Sequence, residues 1–204
     1  MSEPVLEVWF DFASSYSCPA VIRVGDLARA KGGRILWKPF ILGPVFARNG
    51  LTQPPFLVSE DKRAYMIRDL ERLCAPLGLS FRLPEPFPQN SVMAVRLALA
   101  VEAEPWAEDF YVRLFRAEFG AGAQLQDPAV LAEILDAMGR DGAALVERAR
   151  NDLDLKAALR ARVEEAAQKR LFGAPSFITS GGELFWGDDR LEQALDWAAA
   201  PEKL

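Results

Sequence analysis

Strands crowd the two ends of this chain and helices fill its middle, a distribution that constrains the fold more than any single residue. Residues 6–12, around Val8, Trp9, Phe10 and Phe12, read as a buried strand. Ser14 and Ser15 then offer N-cap chemistry to a helix with Ala20, Val24, Leu27 and Ala28 at helical spacing, which Gly32-Gly33 stops. Arg34 to Phe40 reads as a second strand with Pro39 at its end. At the far end, Ser176 to Ser180 is a short strand, Gly181-Gly182 a hairpin turn, and Glu183 to Trp186 the returning strand. Asp188 or Asp189 is expected to cap a last helix carrying Leu191, Leu195 and Ala198. Strands joined by a helix pair in parallel through a right-handed crossover, whereas a tight hairpin pairs them antiparallel.

Between these ends the pattern is helical. Ile41 to Pro55 is rich in glycine and proline and reads as a loop. Met66, Leu70, Leu73, Cys74 and Leu77 form one apolar helix face, closed by Gly78, and Ser80 to Pro88 is irregular. Asn90 caps a helix with Ala94, Leu97, Ala98 and Val101 inward, and Phe110, Leu114, Phe115 and Phe119 mark the next. Asp127-Pro128 is an N-cap followed by an N1 proline, and two more helical stretches run through residues 143–150 and 152–170. The expected architecture is α/β: a β-α-β half and a β-β-α half forming one domain (residues 1-44 and 160-204), with a large all-helical insertion at 45-159.

Composition removes whole classes of function. The 204 residues, half of them apolar, suffice for a real core, and a net charge of -5 without long basic runs argues against nucleic acid and anionic membranes as partners. There is no 18-residue apolar run, and the first residues lack a basic, signal-like segment, so a cytoplasmic protein is expected. No histidine occurs anywhere, which excludes histidine metal sites, Ser-His-Asp triads and imidazole acid–base catalysis, and no metal site is expected. The two cysteines, Cys18 and Cys74, form no CxxC and read as structural thiols.

Six ordered stretches give the chain a relative. Asp11-Phe12-Ala13-Ser14-Ser15-Tyr16-Ser17 resembles the D-F-x-S-P-Y-S signature of 2-hydroxychromene-2-carboxylate isomerases, which have a DsbA-like thioredoxin fold and are related to kappa-class glutathione transferases. Lys38-Pro39-Phe40-Ile41-Leu42-Gly43, Tyr65-Met66 with Arg68-Asp69-Leu70, and Phe87-Pro88-Gln89-Asn90-Ser91 follow the same family. So do Phe172-Gly173-Ala174-Pro175-Ser176-Phe177 and Phe185-Trp186-Gly187-Asp188-Asp189-Arg190-Leu191. The chain departs where Ser15 replaces the family proline and where Thr52 stands in place of a family asparagine.

The resemblance implies glutathione as cofactor and a thiolate-holding role for Ser14, which sits where a redox thioredoxin has its attacking cysteine; Ser17 takes the resolving position. Free thiols titrate near pH 8.5, so roughly neutral solution leaves them protonated unless a hydroxyl, peptide N–H groups and a helix dipole favour the anion. Pro175 resembles the cis-proline of thioredoxin folds, with Ala174 offering backbone bonds to glutathione; Trp186, Gly187, Asp188 and Asp189 would hold its γ-glutamyl end. Lys38, Thr52, Lys62 and Asn90 are the candidates for an aromatic carboxylate substrate, Lys38 because its strand ends toward the site. A homodimer is likewise implied by the family alone. Residue types by themselves read otherwise: an N-cap serine, capping aspartates, a trans turn proline, solvated lysines and a core tryptophan. Competing activities are a kappa-like glutathione transferase acting on electrophiles, and a redox-inactive thioredoxin-like binding module; the missing CxxC argues against a DsbA-like oxidoreductase.

Overall fold

The computed structural model describes residues 3–50, 56 and 59–200. Strand β1 (Val5–Phe10) is followed by helix α1 (Ser17–Ala30) and strand β2 (Arg34–Pro39), and β1 and β2 pair in parallel with Val8 opposite Trp37. At the other end β3 (Ser176–Thr179) runs antiparallel to β1, with Trp9 opposite Ser176, and β4 (Leu184–Trp186) returns antiparallel to β3. The sheet order is β2-β1-β3-β4, and helix α9 (Leu191–Ala199) closes the chain. Both ends of the sequence thus meet on β1, an interior strand that buries Leu6, Val8 and Phe10 on one face and Trp9 on the other.

Alternation along β1 divides the core. Leu6, Val8 and Phe10 face a large cluster containing α1, α9 and the aromatic helix α5 (Ala107–Ala121), where Phe10 meets Tyr111 and Phe115 at ring separations of 5.3 and 5.9 Å. Trp9 faces the other way, into a smaller cluster with Phe40, Leu171 and Ala166 of helix α8 (Leu153–Gln168). Helices α4 (Val92–Ala100), α6 (Pro128–Ala137) and α7 (Gly142–Asn151) complete the helical block, with Asp127 and Asp141 capping the last two by accepting from Ala129 and Ala144 N–H at 2.9 Å each. Helix α3 (Glu60–Cys74) starts at Ser59 and buries Leu70 and Cys74; a single 3₁₀ turn carries it to Gly78, whose φ of +66° suits glycine.

Local expectations fail at three places. Leu42–Arg48, inside the stretch read as a loop, forms helix α2, because Leu42, Val45 and Phe46 supply an apolar face against the Trp9 cluster and Pro44 sits in the first turn, where a proline costs nothing. Neither Ser14 nor Ser15 caps α1: the N-cap position is Tyr16, in helical geometry and without a side-chain cap. Neither Asp188 nor Asp189 caps α9, which is entered through a 3₁₀ turn at Asp188–Arg190.

Candidate functional site

The site is assembled where β1 ends. The chain turns there because Asp11 takes it in hand twice: its backbone carbonyl accepts from Ser14 N–H at 2.9 Å and its carboxylate from Ala13 N–H at 3.0 Å. Ser14 and Ser15 carbonyls then accept the first α1 amides, Ser17 at 3.0 Å and Cys18 at 3.3 Å. Among the described residues the amides of Ser15 and Tyr16 meet no protein acceptor, so they remain donors at the positive end of α1.

The hydroxyl of Ser14 is not spent on its own helix. It donates to the carbonyl of Ala174, 160 positions away, at 2.9 Å. The Ala174-Pro175 bond is cis, as the resemblance implied. The Pro175 carbonyl accepts from Gly187 N–H at 3.0 Å, and Ser176 Oγ donates to the Gly173 carbonyl at 2.9 Å. One line of hydrogen bonds therefore runs from the front of α1 through the cis-proline loop to the turn before α9. Ser14, Ala174, Pro175 and Gly187 are brought together.

Trp186 is no core residue: it is 52% exposed, and Phe172 beside it is 45% exposed, with the two rings edge-on at 5.0 Å. The indole lies on Gly173, where a Cβ would come within 2.3 Å of the ring nitrogen, so only glycine admits it. The aspartates divide their work. Asp188 is 3% exposed and sits 2.8 Å from the Arg23 guanidinium of α1; burial raises its pKa and Arg23 opposes that rise. Asp189 keeps a 74% exposed side chain near Arg190, and Gly187, at φ +104°, leaves room for it to fold back, since a Cβ there would meet Asp189 Oδ1 at 2.6 Å.

Next to Ser14 a cavity of about 340 Å³ opens between the Asp11–Ala13 turn, α2 and the start of α4, walled mainly by Ile41, Leu42, Phe46 and Val92. Asn90 lies on its rim with its amide oxygen accepting from Val92 N–H at 3.0 Å. Lys38 does not line this cavity: its ammonium is 3.1 Å from Glu165 of α8 and 5.5 Å from the Trp9 ring. Lys62 is exposed in the first turn of α3, and Thr52 lies outside the described residues.

Three features escaped the sequence reading. Asp11 is 1% exposed, and its second oxygen accepts from Leu42 N–H at 2.7 Å, tying α2 to the site. Its signal was an acid directly after the buried apolar run Val8-Trp9-Phe10, a position that demands partners. Burial pushes its carboxyl up, while bonds from Ser91, Leu42 and Ala13 hold it down. Glu118 of α5 is likewise buried and pushed well up, first by burial and then by Asp11. Tyr16 donates to Asp69 of α3 at 2.9 Å, pinning that helix against the Ser14 turn. Burial pushes the Cys18 thiol up; it donates to the Phe115 carbonyl at 4.0 Å, and both cysteines are free and buried in the core. Among the described residues no group of three metal-binding side chains occurs, and no helix is long and apolar enough to cross a membrane.

The DSBA-like thioredoxin domain matches residues 5–197. The chain belongs to that family. Within it, the chain is 28% identical over 187 residues to the 2-hydroxychromene-2-carboxylate isomerase of Sphingobium xenophagum, covering 92% of this chain and 94% of that one. The solved structure of a 2-hydroxychromene-2-carboxylate isomerase superposes with a TM-score of 0.85 at 24% identity, over 95% of this chain and 93% of the other. The cytosolic disulfide reductase DsbM from Pseudomonas aeruginosa, solved with GSH, has the same fold at a TM-score of 0.66 and 18% identity, over 96% of each chain. This DSBA-like chain has no CxxC, and Ser14 and Ser17 stand at the front of α1.

Proposed function

We propose that this protein is a glutathione-dependent cis-trans isomerase of 2-hydroxychromene-2-carboxylate or a similar aromatic pyruvate enone, working in the cytoplasm. The observation that carries the reading is the Ser14 hydroxyl at the front of α1, 2.9 Å from the carbonyl of the cis-proline loop, in a chain without CxxC. A hydroxyl with no histidine to activate it is a poor nucleophile but a good donor, and a donor beside free amides favours a thiolate supplied from outside.

The residues fit the tripeptide end to end. Ala174 offers its backbone for β-type pairing with the cysteinyl unit, and the exposed Asp189 carboxylate suits an α-ammonium. Asp188, committed to Arg23, is a strut and not a ligand. When the Ala174 carbonyl accepts an incoming amide, the Ser14 proton is released to point at sulfur. Bound glutathione supplies a thiolate whose reversible addition to the conjugated carbon turns a double bond into a rotatable single one. The apolar cavity beside Ser14 takes the aromatic ring and excludes water, and Asn90 on its rim offers an amide to a substrate oxygen. The DsbM structure with GSH supports the same fold as a glutathione carrier, and the named isomerase relative supports the reaction.

The test is calorimetric titration with glutathione, together with turnover of 2-hydroxychromene-2-carboxylate with and without it. Saturable binding and turnover that requires glutathione are expected. No binding at millimolar glutathione returns the chain to a binding module. A stable conjugate from an aryl halide, without isomerisation, makes it a transferase.

A further inference from the structure

We propose that Asp11 is a positioning residue whose single carboxylate holds the Ser14 turn and both walls of the neighbouring cavity in one register. The inference rests on the isomerase reading, because it says what sets the distance between the sulfur site and the substrate pocket. Asp11 Oδ1 accepts from Ala13 N–H at 3.0 Å, one residue before the serine. Oδ2 accepts from Leu42 N–H at 2.7 Å, the first amide of α2. The Ser91 hydroxyl at the start of α4 faces the same carboxylate and favours its charged form. These groups come from three segments far apart in sequence, and Ala13, Leu42 and Ser91 all line the cavity.

A buried carboxylate is costly unless every lone pair is used, so its presence after an apolar strand calls for a reason beyond packing. One acceptor bonded to two segments and faced by a third supplies that reason: neither the Ala13 turn nor α2 can shift without breaking a charge-assisted bond. The bonds to Ala174, Pro175 and Gly187 lie on the opposite side of Ser14 and do not involve Asp11. Asp11 therefore governs how substrate meets sulfur, and leaves the hold on glutathione alone.

Asp11→Asn keeps the volume but presents an NH₂ group to a donor, so at least one segment must let go. The full chain with this change is compared with wild type by hydrogen exchange, glutathione titration and turnover. Expected are faster exchange at the Ala13–Ser14 turn, the α2 start and the α4 start together, a glutathione Kd within about threefold of wild type, and a kcat lower by about 100-fold, the scale of a misplacement near an ångström. Exchange that rises at one segment alone, or glutathione affinity lost in step with kcat, overturns the proposal. If Asp11→Asn does not fold, Ser91→Ala removes the hydroxyl that faces Asp11 from α4, with kcat expected to fall about tenfold at unchanged glutathione affinity; unchanged kcat overturns it. If wild type neither binds glutathione nor isomerises, the functional reading fails by itself, and the exchange pattern still decides whether Asp11 couples the segments.

Discussion

Two polar clusters flank β1, and they use similar residues to opposite ends. On the Trp9 face, Lys38 pairs with Glu165 at 3.1 Å, Arg162 reaches both oxygens of Glu102 at 3.0 Å, and Lys169 sits 3.2 Å from Glu7. Glu7 in turn accepts from the Trp9 indole at 2.8 Å. Each carboxylate there has a cation, the charges cancel over an aromatic ring, and the one unused atom, Arg162 Nη1, is a cation's nitrogen among paired ions. At the β1 terminus the balance is different: Ser14 donates to a backbone carbonyl, Asp189 faces solvent, and the Ser17 hydroxyl and one Glu118 oxygen are buried without a hydrogen bond. Matched ions act as a strut, whereas unmatched hydroxyl and carboxyl groups around a helix start are the setting in which functional sites collect.

The sharpest way to break this contrast is Ser14→Ala. If the terminus is functional, kcat/KM for the enone falls by about 100-fold or more, the loss typical of one donor aimed at developing anionic charge. Thermal unfolding shifts far less, since the change strips one hydrogen bond, worth about 1 kcal/mol, from the Ala174 carbonyl. An unaltered rate removes the catalytic half of the comparison.

A smaller effect is expected from Gly173→Ala. The new Cβ would lie 2.3 Å from the Trp186 ring nitrogen, and the half-exposed indole swings away sooner than the backbone moves. Glutathione affinity is expected to drop about tenfold, about 1.4 kcal/mol, with a changed tryptophan emission and little loss of stability. Trp186→Ala should weaken binding to a similar extent, and the double change should cost no more than either alone. Full additivity would mean that the two residues act separately.

How much of this was legible depended on whether a residue's role is local. The β-α-β and β-β-α ends were readable because alternation and glycine turns report local geometry, and the cis bond at Pro175 followed from a motif rather than from any periodicity. Helix α2 was misread because glycine and proline signalled a loop, while its stability comes from a cluster formed by Trp9, Ala166 and Leu171, remote in sequence. Trp186, a core residue by type and a glutathione contact by resemblance, lies at the surface, where Gly173 gives it a shelf. Asp11 opens the D-F-x-S stretch, but nothing in the sequence shows that the Leu42 amide reaches it.

The buried acids give a pH test of the same contrast. Asp11, Glu118 and Asp188 all have folded-state pKa values raised, chiefly by burial. For an acid with a raised folded pKa, the native state binds more protons than the unfolded chain between the two values. Stability therefore falls as pH rises from the ordinary carboxyl range through the raised one. Glu118→Gln removes the acid whose oxygen lacks a partner, and is expected to flatten that decline. Relative to wild type it should gain about 1–2 kcal/mol at about pH 8 and little at about pH 5, read from thermal unfolding at each pH. A variant parallel to wild type at every pH would place the pH dependence elsewhere.

The least effect should come from Lys38→Met, although Lys38 stood first among the cations proposed for substrate. Methionine keeps the apolar stem against Trp9 while removing the charge. Glu165 retains Arg162 at 3.4 Å, so the carboxylate is not abandoned, and both partners are partly solvated. The stability change should stay below about 1 kcal/mol. If the Trp9 cluster is a strut, the KM for 2-hydroxychromene-2-carboxylate is unchanged. A KM raised tenfold with kcat intact would show that Lys38 leaves Glu165 for the substrate carboxylate, and the matched cluster would then be a reserve of charge feeding the site across the sheet.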